Sequence, residues 1–153
     1  MLGKLKKLWR GEEGFTLVEL MVVVIILGIL AAIAVPMYLK SAETARENAA
    51  LTSVSNMKSV IDTWAAGDGD GQYPVTTNIQ NVMQNAGINW TGTNGGVTGP
   101  WGNAFEYVGT ANSYYVWTGP DPAGNYFMAT QNQTAQQVPL SSVPTSSTAS
   151  PSS

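Results

Sequence analysis

The chain contains no cysteine and no histidine. Without cysteine there is no disulfide framework, thiolate metal site or c-type haem attachment, and without histidine the commonest acid/base and nucleophile-activating groups are missing. Charge is also scarce, at 11% of 153 residues, while Gly, Ser, Thr, Asn and Gln are abundant. That balance suits an extracellular, turn-rich surface better than a salt-bridged cytosolic one. From residue 15 onward only Lys40, Arg46 and Lys58 stand against eight carboxylates. An acidic body disfavours nucleic-acid binding, which needs Lys and Arg on phosphates.

Residues 15–35 form one apolar run in which Thr16 and Glu19 are the only polar members. Twenty-one residues at about 1.5 Å each match the roughly 30 Å hydrocarbon core of a bilayer. Lys4, Lys6, Lys7 and Arg10 precede the run and belong to the cytoplasmic side. A cleavable secretory signal is the competing reading, with Ala31, Ala32 and Ala34 near its end. An h-region of about 7–15 residues is shorter than this run and should not hold a carboxylate. An ionisable side chain in a membrane segment costs roughly 2.5–3.5 kcal/mol on insertion scales, so Glu19 should have a partner and a function.

Beyond the run the helical pattern continues. Pro36 removes a backbone donor, so a kink or a local loss of helix is expected there. Ala42, Ala45, Ala49 or Ala50, Val54, Met57, Ile61 and Trp64 then recur mostly at spacings of three and four, an amphipathic face. The glycines and aspartates of residues 67–71 end it.

The segment Gly14-Phe15-Thr16-Leu17-Val18-Glu19-Leu20-Met21, behind a basic leader and ahead of an apolar run, resembles the processing signature of type IV prepilins and pseudopilins. The resemblance implies that a prepilin peptidase cuts between Gly14 and Phe15 and methylates the new amino terminus on Phe15. The apolar run is then kept, first as a membrane anchor and afterwards as the core of a helical filament of identical subunits. Glu19 falls at the fifth position of the trimmed chain and Pro36 at the twenty-second. Glu19 could pair with the Phe15 amine of its own chain or of a neighbour, and losing one member of a buried ion pair typically costs roughly 3–5 kcal/mol. Gly28, with the alanines after it, offers a small surface for close helix approach. The resemblance further suggests that the segment from Gly28 to Pro36 partly unwinds in a filament.

In the remainder, Asn78 is expected to cap a short helix over Ile79, Val82, Met83 and Ala86 that stops at Gly87. Residues 89–99 read as an irregular loop, and residues 104–109, 113–118 and 125–130 as three strands of an antiparallel meander. Phe105, Tyr107, Tyr115, Trp117, Phe127 and Met128 are expected to pack on Val54, Met57, Ile61 and Trp64. Packing also accounts for most of the fourteen aromatics, without invoking electron conduction. Residues 139–153, rich in Ser, Thr and Pro, read as a low-complexity surface tail.

The fold class is thus α+β, pilin-like, with a long N-terminal helix on a small three-stranded sheet. Its parts are a cleaved leader (1–14), an apolar helix kinked at Pro36 (15–36), an amphipathic helix (37–66), a globular head (67–138) and the tail (139–153). Asp68-Gly69-Asp70-Gly71 lacks the later ligands of an EF-hand loop. Segments 71–74 and 99–107 resemble the major pseudopilin of type II secretion, a family whose C-terminal loop binds calcium. Asp121 falls in the comparable loop, as its one carboxylate. Asn89 and Asn132 fit the short N-glycosylation pattern.

Two functions follow from the resemblance. One is the major subunit of a type IV pilus, extended from the cytoplasmic membrane to the cell surface for adhesion, twitching motility or DNA uptake. The other is the major pseudopilin of type II secretion. Either implies a prepilin peptidase and an assembly platform with its ATPase as partners, without a cofactor or direct nucleic-acid binding. An anchored enzyme has no nucleophile and base pair, metal cluster or phosphate loop to support it.

Overall fold

The computed structural model describes residues 14–90 and 97–144. The leader before Gly14, part of the expected loop (91–96) and most of the expected tail (145–153) lie outside the described residues. Contacts divide the chain into two units, Met1–Ala42 and Glu43–Ser153.

Helix α1, Leu17–Ala66, contains 50 residues. It runs unbroken through Pro36, so the local loss of helix expected at the proline does not occur. Every residue of segment 14–41 is exposed. From residue 50 onward the helix buries Ala50, Val54, Met57, Ile61 and Ala65. Spacings of three and four put these side chains on one stripe. Trp64, expected on that stripe, is only half-buried, and Ala65 takes its place. Asp70 (φ 50°) and Gly71 (φ 82°) terminate the helix, with the Gly71 amide donating to the Ala65 carbonyl at 2.8 Å. Only glycine fits at Gly69, where a Cβ would meet Trp64 at 2.7 Å and Ala65 at 2.9 Å.

Helix α2, Ile79–Asn85, lies where the sequence places it and buries Ile79, Val82 and Met83. Its mechanism of initiation differs from expectation, because Asn78 sits in the helical region (φ −102°, ψ −11°) and makes no side-chain cap. The chain turns at Gly87 with φ 79°. Trp90, expected in an irregular loop, is fully buried in the core.

The sheet has four strands rather than three: β1 (Glu106–Thr110), β2 (Ser113–Thr118), β3 (Asn125–Thr130) and β4 (Gln133–Pro139). They form an antiparallel meander in the order β1-β2-β3-β4. The added strand, Gln133-Thr134-Ala135-Gln136-Gln137-Val138-Pro139, buries only Val138 and so gives almost no alternating apolar pattern. Backbone pairing to β3 places it, with an irregularity between Met128 and Thr130. The 3-10 turn Leu140–Ser142 follows, where the sequence suggests featureless tail.

Register corrects the expected core as well. Tyr107 pairs with Val116, and Val116 with Ala129. Because neighbours along a strand point to opposite faces, Tyr114 and Val116 join Phe105, Tyr107, Phe127 and Ala129 against Val54, Met57 and Ile61. Tyr115, Trp117 and Met128 belong to the other face, where they cluster with Val138, Val108, Tyr126 and Val143. Both faces of the sheet therefore carry apolar packing.

Candidate functional site

The apolar surface at the start of α1 is left exposed by the described residues. Phe15 is 84% exposed, and even the most covered large side chain in that stretch, Val22, is 48% exposed. Contiguous exposed apolar surface of this extent marks contact with lipid or another protein. The helix is long and apolar enough to cross a membrane. A Cβ on Gly28 would meet nothing within 4 Å, so the absent side chain leaves room on the surface rather than relieving an internal clash.

Glu19 sits in the first turn of α1 and has a partner inside its own chain. The Thr16 amide donates to Glu19 Oε2 at 2.8 Å, the Thr16 hydroxyl donates to the same oxygen at 2.8 Å, and the Glu19 amide donates to Thr16 Oγ1 at 3.2 Å. This reciprocal pattern is a capping box, in which the residue before the helix and the third residue inside it satisfy each other's amides. Its sequence signal is Thr16-Leu17-Val18-Glu19, a threonine three residues before a glutamate. Reading Glu19 only as a membrane carboxylate misses Thr16 as its partner.

The remaining expected site residues, Asp121, Asn89 and Asn132, belong to the second unit. Asp121 lies between β2 and β3 and is 6% exposed. Its Oδ1 accepts from the amides of Ala123 (2.9 Å) and Asn125 (2.8 Å), and its Oδ2 from Asn125 Nδ2 (3.1 Å) and Gln137 Nε2 (3.3 Å). Burial alone would push the carboxyl pKa up; the hydrogen bonds from Asn125, Ala123 and Gln137 outweigh it and hold the pKa below the usual aspartate value. Asn89 and Asn132 are both exposed.

Two further polar fixtures tie α1 to the strands. Lys58 Nζ donates to the carbonyls of Thr130 (2.8 Å) and Gln131 (3.2 Å) and to Tyr114 Oη (3.2 Å), and pairs with Asp62 at 2.9 Å. Tyr114 in turn donates to Asp62 Oδ1 at 2.7 Å; burial first, and then the Asp62 carboxylate, raise the phenol pKa. Near the other end of this unit, Trp101 Nε1 donates to Glu43 Oε1 at 2.8 Å, while the indole stacks on Phe127 at 5.2 Å. Sequence shows Lys58 and Asp62 as an i,i+4 pair on the polar side of the helix, but the strand carbonyls that Lys58 reaches have no sequence signal.

Comparison with known proteins bears on the whole arrangement. Residues 9–35 match the family model described as the prokaryotic N-terminal methylation motif. Type II secretion system core protein G of Vibrio cholerae is 34% identical over 110 residues, covering 67% of this chain and 74% of that protein. Core protein G of Pseudomonas aeruginosa is 31% identical over 108 residues, covering 65% and 75%. Type IV major fimbrial protein FimA of Dichelobacter nodosus is 42% identical over 52 residues, covering 34% and 33%. No solved structure matches the chain significantly. With the methylation motif, the apolar helix and an α+β head all in one chain, this protein belongs to the prepilin-type family that includes type II secretion core protein G and the type IV fimbrial proteins.

Proposed function

We propose that the chain is a structural subunit, not an enzyme, trimmed after Gly14, methylated on Phe15 and packed through the N-terminal part of α1 into a helical fibre. The carrying observation is the exposed apolar surface of residues 15–39, which bears a single carboxylate at its start. In the precursor that surface faces lipid; in the fibre it faces copies of itself. The amine released on Phe15 supplies the cation that Glu19 meets as subunits stack, and Gly28 and Pro36 lie where neighbouring helices approach. A prepilin peptidase, an assembly platform and an ATPase are the partners this reading requires.

Between the two uses of such a fibre, the relatives favour the secretion fibre to which core protein G belongs. An alignment covering 67% of the chain is too long to lie within the stretch ending with α1 at Ala66, so it reaches into the head. The 52 residues shared with FimA are close to the length of α1 alone. A surface pilus for adhesion, twitching or DNA uptake is the second reading, supported by the higher identity over that shorter stretch.

Mass spectrometry of fibres sheared from the surface, together with a deletion strain, tests both levels. A dominant polypeptide beginning at N-methylated Phe15 supports the subunit reading. A mature protein that retains residues 1–14, or has lost residues 15–35, overturns it. Defective protein export with little of the polypeptide in sheared material selects the secretion fibre; abundant surface fibres with intact export select the pilus.

A further inference from the structure

The loop between β2 and β3 is the one comparable to the calcium-binding loop of the major pseudopilin that the sequence resembles, with Asp121 as its one carboxylate. Calcium takes six to eight oxygen ligands at about 2.3–2.6 Å, supplied by carboxylates, carbonyls and water. The groups that converge on the Asp121 carboxylate are of the opposite kind. Four N–H bonds from three residues, Ala123, Asn125 and Gln137, end on its two oxygens. Two of the four are main-chain amides, which have no second face to present as an acceptor.

Two carbonyls of the loop, and that of Asn125 at the start of β3, are engaged as well. Asn103 Nδ2 donates to the Pro120 carbonyl at 2.9 Å, the Gly124 amide to the Asp121 carbonyl at 3.0 Å, and the Asp121 amide to the Asn125 carbonyl at 2.9 Å. A cation placed at the carboxylate would have to displace the amides and face their positive ends. The donor set does not fit a hard cation.

We propose that Asp121 closes this loop as a buried anionic acceptor in place of a cation, so that the head folds and holds its β2–β3 loop independently of calcium. The carboxylate does from inside what a metal does from outside: it gathers the two ends of the loop, and through Gln137 it fastens them to β4. Gln137 matters because β4 has little apolar surface of its own to hold it, with Val138 its single buried residue. This proposal does not depend on which fibre the chain builds.

The test is thermal unfolding of the full mature chain in detergent micelles, followed by near-ultraviolet circular dichroism. In excess chelator and in millimolar calcium the midpoints should agree within about 1 °C. Asp121→Asn should lower the midpoint by roughly 5 °C in either buffer, since it replaces an anionic acceptor by an amide that brings donors among donors. Gln137→Leu, which leaves Asp121 in place, should produce a smaller fall that calcium does not reverse. A wild-type midpoint several degrees higher in calcium than in chelator overturns the proposal, as does an Asp121→Asn variant that melts with the wild type.

Discussion

The first half of α1 presents leucine, isoleucine and valine around its whole circumference and buries none of them, whereas the second half mixes charge with a stripe of five buried side chains. Both halves are helical, so secondary structure does not distinguish them. What distinguishes them is where their apolar surface goes. The stripe from Ala50 to Ala65 is consumed inside the chain by Phe105, Tyr107, Tyr114 and Phe127, and helix stability there is a property of the fold. The apolar side chains of residues 15–39 are left exposed by the described residues, and on the proposed function it is lipid or other subunits that cover them. One helix therefore serves two solvents.

Substitutions that act on one half and spare the other sharpen this contrast. The largest effect is expected from Glu19→Ala: fibre yield in the sheared fraction should collapse while the precursor is still shortened to the mature band and the head melts normally. Wild-type fibre yield from that variant would remove Glu19 from assembly. Next comes a matched pair of truncations. Ile61→Ala, at a fully buried position, should destabilise the head by about 2–5 kcal/mol, whereas Ile26→Ala, 51% exposed, should leave its melting unchanged in detergent. Equal shifts from the two would break the comparison.

Lys58→Met is expected to cost roughly 1–3 kcal/mol, because it removes the donor to the Thr130 and Gln131 carbonyls and leaves Asp62 with Tyr114 but without its ion-pair partner, while keeping most of the packing volume. A chemical denaturation curve measures it. The smallest effect concerns acidity. Asp121 has a folded pKa below its unfolded value of about 3.9, so its contribution is present above that value and fades as the pH falls through the folded pKa. Melting curves between neutral pH and about pH 2 should show an acid-side loss that Asp121→Asn reduces.

Much of the contrast is legible in the amino-acid sequence. Runs of uniform hydrophobicity and of three-and-four spacing separate the two halves of α1 directly, and the β-branched and aromatic residues of β1, β2 and β3 mark those strands to within two residues. The elements that leave no such mark are those whose stability is borrowed. Strand β4 is glutamine-rich and exists through its backbone pairing with β3, which no local pattern reports. The two sheet faces look alike in sequence because Tyr115, Trp117 and Met128 are as apolar as their neighbours, and with apolar packing on both faces only register tells one side from the other. At the candidate site, Glu19 stands out by its cost in lipid. Its threonine partner does not, because a capping box is an ordinary helix signal hidden within an extraordinary setting.

That same box carries a temporal consequence. Thr16 and Glu19 both lie downstream of the bond between Gly14 and Phe15, so severing that bond leaves all three of their hydrogen bonds in the product. On the proposed processing the helix begins at the same residue in precursor and mature chain, and a peptidase would alter what precedes the first turn without having to rebuild it. The carboxylate would already be oriented by Thr16 when the proposed cut releases an amine on Phe15.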